Sequence, residues 1–386
     1  LKTTGDRGGR LSRHFERGRD DIVALLEELV VRETPSERPD LVTAAARWLA
    51  QWFGNRGFVA ECLPCGTEAG DALWVRCANW SPAGSLLLGH LDTVWPQGTL
   101  QKIPFDCVDG RLRGPGVFDM KAGIAVAMAV ADAITAGEVA PHGGFSLFLT
   151  PDEESGSTAS RDHILRVAGQ HSRVFVLEPA GEGGAAKIAR KGTGLVTVNF
   201  SGVAAHAGLE PEKGASALLE MARFAIFADL LAHPGRETSV VPTLARAGTK
   251  ANIVPESAEL TVDSRFWTRE ESDRVIGALT TYVPEDPRIS VTAEGGLNRP
   301  PMEPSPASLE LYEHAKRIAF SIGFDLPSVR VGGASDGNLT AAAGIPTLDG
   351  LGPSGGGAHS RSENVILEDL PRRAALLAAL LEEAHP

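Results

Sequence analysis

The stretch Leu86-Leu-Leu-Gly-His90-Leu-Asp92-Thr-Val94 is an apolar run that ends abruptly in an imidazole and a carboxylate. Such a run predicts a buried strand that stops near His90. Side chains alternate along a strand, so His90 and Asp92 point the same way and would sit together at its mouth. A metal ligand and its orienting partner are placed in this manner. On its own a lone His-x-Asp reads first as a surface or capping pair, and the rest of the chain has to decide against that.

Several other stretches repeat the pattern. Residues 145–150 form an apolar strand that delivers Pro151-Asp-Glu-Glu154 just past its end, and residues 174–177 do the same for Glu178. Asp119 closes the loop Gly114-Pro-Gly-Val-Phe-Asp119, and an Ala-rich helix runs from about 121 to 135, with small residues suited to tight packing on a sheet. His359 stands in a Gly-rich loop. In open α/β sheets, sites gather at the carboxyl ends of strands, so one site built from several strand ends is the economical expectation. Apolar residues at three and four spacing predict helices over 21–31 and 41–53, followed by strands over 58–63, 73–77 and 85–88.

From residue 193 the order becomes strand (195–200), helix (215–231), strand (239–247), strand (259–266), helix (270–282), strand (289–293). This βαββαβ order specifies a ferredoxin-like unit. The chain then returns through a helix (308–321), a loop with Asp336 and a strand (346–350) to a last helix near 369–384. The expected organisation is a flexible arm over 1–20, an α/β mixed-sheet catalytic domain over 21–192 and 301–386, and an inserted domain over 193–300.

The formal net charge of −12 over 386 residues argues against a nucleic-acid partner and favours a small-molecule or peptide substrate. The longest apolar run, residues 123–131, is well short of the roughly 18–20 residues of a membrane span. Cys62-Leu-Pro-Cys65 lacks a second Cys pair and a nearby helix start, so Cys62, Cys65, Cys77 and Cys107 read as reduced thiols. Residues 1–20 carry arginines but no apolar core of a secretory signal. A cytoplasmic location is expected, or a periplasmic one if a signal was removed upstream of Leu1.

His90, Asp119, Glu153, Glu154, Glu178 and His359 form an oxygen-rich His/carboxylate set, which suits a catalytic Zn²⁺ or similar divalent ion better than a structural site. A two-ion site needs one bridging carboxylate and one acid that is not a ligand. Adjacent Glu153 and Glu154 point in different directions, so one can bind metal while the other takes a proton from the attacking water. Singly, each acid would read as a solvated loop carboxylate; the combination in this order does not.

His90-Leu-Asp92-Thr-Val, Gly114-Pro-Gly-Val-Phe-Asp119-Met-Lys, Asp152-Glu-Glu154-Ser-Gly, Leu177-Glu178-Pro, His206-Ala-Gly, Gly332-Gly-Ala-Ser-Asp336 and His359-Ser together resemble the zinc metallopeptidase family of carboxypeptidase G, aminoacylase, acetylornithine deacetylase and succinyl-diaminopimelate desuccinylase. The resemblance extends over nearly the whole chain after Asp21 and is greatest to the glutamate carboxypeptidase branch. It implies two Zn²⁺ per subunit, with Co²⁺ or Mn²⁺ as substitutes. Asp119 would bridge them, His90 and Glu178 would hold one ion, and Glu154 and His359 the other. It further implies Glu153 as general base, Asp92 as hydrogen-bond partner of His90, and a cis bond between Asp119 and Met120. His206 would polarise the scissile carbonyl, acting on the partner subunit of a homodimer formed through the inserted domain. Arg299 matches a carboxylate-binding arginine, with Asn252, Arg265 and Lys187 as weaker substrate-side matches. The implied reaction is hydrolysis of the amide to a C-terminal amino acid, glutamate above all. Alternatives are deacetylation or desuccinylation of an N-acyl amino acid, or a non-catalytic metal-binding relative. The stretch Ala189-Arg-Lys-Gly-Thr-Gly194 departs from the glutamate carboxypeptidase pattern.

Overall fold

The apolar run that ends at His90 is an inner strand of a six-stranded sheet in a computed structural model, which describes residues 4–82 and 84–383. The chain begins with α1 (Thr4–Arg17), α2 (Arg19–Val30), α3 (Pro39–Gly54), β1 (Val59–Pro64), β2 (Asp71–Arg76), β3 (Ser85–His90), β4 (Asp106–Val108) and β5 (Arg111–Arg113). It continues through α4 (Ala122–Thr135), β6 (Ser146–Thr150), α5 (Arg161–Ala168), β7 (Arg173–Val176), β8 (Ala186–Arg190) and β9 (Gly192–Ser201). Then come α6 (Ala217–Leu230), β10 (Ser239–Ala247), β11 (Ser257–Phe266), α7 (Arg269–Thr280), β12 (Ser290–Arg299) and α8 (Pro306–Ile322). The last elements are β13 (Ser328–Val331), α9 (Gly337–Ala342), β14 (Thr347–Leu348), β15 (Gly355–Gly356), β16 (Asn364–Ile366) and α10 (Asp369–Glu382).

The chain divides into two compact units, one holding residues up to Ile188, Pro304–Val331 and Ser335 onward, the other Ala189–Glu303 with Gly332–Ala334. In the first, the sheet order is β1-β2-β6-β3-β7-β14; β1, β2 and β6 pair antiparallel, and β6, β3, β7 and β14 run parallel. Every residue of β3, β6 and β7 is buried. Their carboxyl ends therefore open at one edge of the sheet, where His90, Pro151-Asp-Glu-Glu154 and Leu177-Glu178 follow. Helix α4 is buried over almost its whole length and approaches the sheet so closely that a Cβ at Gly123 would lie 2.1 Å from the Leu177 carbonyl oxygen. Only glycine fits at that contact.

The flexible arm expected over residues 1–20 is corrected by α1 over Thr4–Arg17; residues 1–3 lie outside the described residues. Leu11 and Phe15, one turn apart, are buried in the core, and a Cβ on Gly8 would meet the Ser321 carbonyl oxygen of α8 at 2.8 Å. Gly5, Gly8 and Gly9 lower the helix propensity of this segment, so packing contributes much of its helicity. Asp369, at the start of α10, accepts the Ser354 N–H and the Arg373 guanidinium, with Glu368 at the cap position. Among the described residues no helix is long and apolar enough to cross a membrane.

The second unit is the βαββαβ element, an antiparallel sheet ordered β10-β11-β9-β12. Its core packs Phe224 of α6 and Val275 and Leu279 of α7 against Val196, Val198, Phe200, Leu260 and Val262 of the sheet. Ser216 and Thr268 cap the two helices through Leu219 N–H and Glu271 N–H.

Candidate metal centre

At the strand ends, His90 Nε2 stands 3.2 Å from Asp119 Oδ1 and 3.5 Å from Glu178 Oε1. His359 Nε2 stands 3.4 Å from Asp119 Oδ2 and 3.2 Å from Glu154 Oε2. The two oxygens of Asp119 thus face different imidazoles, with a second carboxylate beside each. His359 has a left-handed backbone (φ 60°), and the Asp119–Met120 peptide bond is cis. Glu153 lies on the His90 side: ligand atoms of His90, Glu153 and Glu178 fall within 4.8 Å of one another, as do those of His90, Asp119 and Glu154.

Asp92 does more than partner His90. The nearest acceptor to His90 Nδ1 is the Asp92 backbone carbonyl at 2.9 Å, with the carboxylate at 3.4 Å. The Asp92 carboxylate accepts the backbone N–H groups of Glu153 at 3.0 Å and Glu154 at 3.1 Å, and the Ser36 hydroxyl at 2.7 Å. One buried acid therefore sets the two adjacent glutamates.

The cluster is electrostatically crowded. Burial pushes Glu154 up to about 7, the Asp119 charge adds to this, and His90 and His359 oppose it. Burial also disfavours charge on Asp119, but hydrogen bonds with His359 and His90 more than offset it and hold the carboxyl far below its ordinary value. The hydrogen bond to Asp119 is the first cause that raises His359 to about 9. For His90, burial opposes protonation and is outweighed by Asp119, Asp92 and Glu178, so its pKa rises.

The model of the peptidase family M20/M25/M40 matches residues 86–383, a span that begins at the strand leading into His90 and includes each of these side chains. The chain belongs to that family. Carboxypeptidase G2 of Pseudomonas sp. strain RS-16 is 30% identical over 369 residues, which cover 93% of this chain and 88% of that protein. Succinyl-diaminopimelate desuccinylase of Pseudoalteromonas atlantica is 25% identical over 384 residues, 94% of this chain and 98% of the relative. Among solved structures, aminopeptidase PepT of Bacillus cereus superposes with a TM-score of 0.74 at 24% identity, covering 95% of this chain and 98% of that one, a likeness of fold.

The M20 family is metal-dependent, typically with zinc. The residues here fit such an ion. A tetrahedral zinc site with bonds of about 2.0–2.1 Å has ligand–ligand edges of about 3.3–3.4 Å, and the four N···O separations above are 3.2–3.5 Å. Glu154 Oε1 is moreover buried without a hydrogen-bond partner, and an acceptor in that state calls for a cation or donor.

The remaining sequence candidates are Lys187 of the first unit and four residues of the second. Lys187 is half-buried in β8, its backbone paired with Asp349. In the second unit, Arg265 and Arg299 are the register partners of Thr193 on its two sides, so the three stand in a row across the sheet. Arg265 donates twice to Asp263, at 2.9 and 2.8 Å. Arg299 is buried. His206 is exposed, and its Nδ1 accepts the N–H groups of Gly208 and Leu209, both at 3.1 Å. With Nδ1 accepting, the ring proton is on Nε2. The Asn252 carbonyl accepts the neighbouring Ala207 N–H at 3.0 Å.

Sequence reading missed Ser36, the role of Asp336 and Glu363. Asp336 accepts the hydroxyls of Thr150 (2.7 Å) and Ser157, and so ties the end of β6. Glu363, four residues past His359, accepts N–H groups from the loop that carries Asp119. Its place in the His359 loop was the one available signal; Ser36 had none.

Proposed function

We propose that the chain is a zinc-dependent amidohydrolase that cleaves the amide bond to a C-terminal amino acid, glutamate for preference. Asp119 carries this reading, because its two oxygens address two separate imidazole–carboxylate pairs. Two Zn²⁺ would be held by His90 and Glu178 on one side and Glu154 and His359 on the other, with Asp119 shared; Co²⁺ or Mn²⁺ are the substitutes. Bound there, the ions supply Lewis acidity to the attacking water and to the developing negative charge.

Glu153 takes the proton of the attacking water and returns it to the departing amine. Asp92 keeps Glu153 and Glu154 apart in role by holding both backbone N–H groups. His206 offers its Nε2 proton to the scissile carbonyl oxygen, and Arg299 offers a planar fork to the substrate carboxylate. Likeness to carboxypeptidase G2 supports glutamate as the leaving residue.

A homodimer through the second unit belongs to the same proposal. Leu218, Leu219, Ile226 and Leu230 of α6 and Val241 and Leu244 of the edge strand β10 are exposed, an apolar surface that supports self-association. His206 would then act on the partner's substrate.

N-deacylation is the second reading, favoured by the likeness to desuccinylases. A panel of acyl-glutamates, dipeptides, and N-acetyl and N-succinyl amino acids with Zn²⁺ tests both. Fastest turnover of acyl-glutamates, abolished by chelation, is expected. Turnover that follows the acyl group rather than the C-terminal residue would replace this reading with the deacylase. No turnover of any substrate by the zinc-loaded protein would leave the non-catalytic relative.

A further inference from the structure

Glu363 is buried, and all four of its acceptor positions are directed to N–H donors. Its Oε1 accepts the backbone N–H groups of Phe118 at 2.9 Å and Asp119 at 3.0 Å. Its Oε2 accepts the Gly116 N–H at 3.0 Å and the Trp95 indole N–H at 2.6 Å. These donors come from two separate stretches. Trp95 follows His90 by five residues, and Gly116–Asp119 is the loop that ends in the shared carboxylate. Glu363 itself follows His359 by four residues, and its own N–H bonds to the Ser360 carbonyl at 3.0 Å. One carboxylate thus ties together the three segments that carry His90, Asp119 and His359.

A carboxylate is costly to bury, and simple filling of this space would be done better by an apolar side chain. What a carboxylate adds is two oxygens that can hold several N–H groups at once. Anchoring the N–H of Asp119 and of the residue before it fixes the peptide planes leading into Asp119, and with them the direction in which its side chain leaves the backbone. An error of a few tenths of an ångström there would spoil one of the two Asp119–imidazole distances of 3.2 and 3.4 Å.

We propose that Glu363 is a positioning residue of the metal centre: through Trp95, Gly116, Phe118 and Asp119 it holds the shared carboxylate where its two oxygens serve different imidazoles, and so tunes metal affinity. This rests on the two-metal reading given above. Glu363→Gln keeps the shape but leaves one oxygen to accept and turns an NH₂ toward two N–H donors. Trp95→Phe removes one donor and leaves the carboxylate in place.

The test is a Zn²⁺ titration of the metal-free full chain against a competing chelator, for wild type, Glu363→Gln and Trp95→Phe, with thermal melts of the metal-free proteins and steady-state kinetics alongside. Glu363→Gln should weaken zinc binding by about 10- to 100-fold, the usual effect of removing an outer partner, and Trp95→Phe by a few-fold. At zinc concentrations that refill the site, kcat should recover in part and KM should stay near wild type. Should Glu363→Gln fail to fold, Trp95→Phe decides alone. A lower melting temperature with wild-type zinc affinity in the folded variants would make Glu363 a fold determinant only and overturn the inference. A wild-type chain that binds no zinc would instead overturn the metal-centre reading itself.

Discussion

Asp92 Oδ1 accepts the backbone N–H of Glu153 at 3.0 Å, so the acid two residues beyond His90 also orients the proposed base. An amide in its place has one acceptor oxygen for the Glu153 and Glu154 N–H groups and the Ser36 hydroxyl. Asp92→Asn should weaken zinc binding and lower activity by roughly 10- to 100-fold while the fold is retained. Wild-type zinc affinity and turnover in that variant would count against the orienting role.

Glu153 and Glu154 should separate by variant. Glu153→Gln should retain zinc and lower kcat by about 10²- to 10⁴-fold, the range for a lost general base. Glu154→Gln should lose metal first. Zinc content measured after dialysis distinguishes them, and depletion in Glu153→Gln would move that residue among the ligands.

His206→Ala should lower kcat by about 10²- to 10³-fold, as for a single oxyanion donor. Mixed with inactive Glu153→Gln subunits and allowed to exchange, it should recover activity, because one site then combines an intact Glu153 with the partner's intact His206. Mixed dimers that form and stay inactive would refute action in trans.

His171 makes stability depend on pH in a defined direction. Its Nε2 lies 2.9 Å from the Trp80 indole nitrogen, a donor only, and its Nδ1 2.8 Å from the Val167 carbonyl, so the ring is neutral with the proton on Nδ1. Burial lowers its pKa from 6.5 to about 4, with the bond to Val167 opposing. The unfolded chain takes up this proton between those values and the folded chain does not. The stabilisation is therefore complete above pH 6.5 and lost as pH falls toward 4. Between pH 7.5 and 4.5 it amounts to about 2–3 kcal/mol. Urea unfolding of metal-free wild type and His171→Gln at both pH values should show a smaller acid loss in the variant; equal losses would refute it.

Phe15 is 3% exposed, in a segment whose sequence suggests an arm. Phe15→Ala should cost about 3–5 kcal/mol, as for a core aromatic. A change under about 1 kcal/mol in chemical denaturation would mean that α1 packs loosely.

Most of the candidate site was legible because its signals are local. A buried strand announces itself through a continuous apolar run, and a polar residue where the run stops is marked as the strand's end; His90, Glu153, Glu154 and Glu178 were singled out in this way, and the βαββαβ order was read from period and punctuation. Partnerships between distant segments leave no such trace. Trp95 and Glu363 are 268 residues apart, and Ser157 and Asp336 are 179 apart. A carboxylate in a loop reads the same in sequence whether water or four N–H groups surround it. Helix α1 makes the same point for the fold, since its glycine-containing segment is held helical by what Leu11 and Phe15 bury against. Chain order and side-chain chemistry identify which groups meet at the strand ends; the hydrogen bonds that aim them arise only when the sheet brings remote loops together.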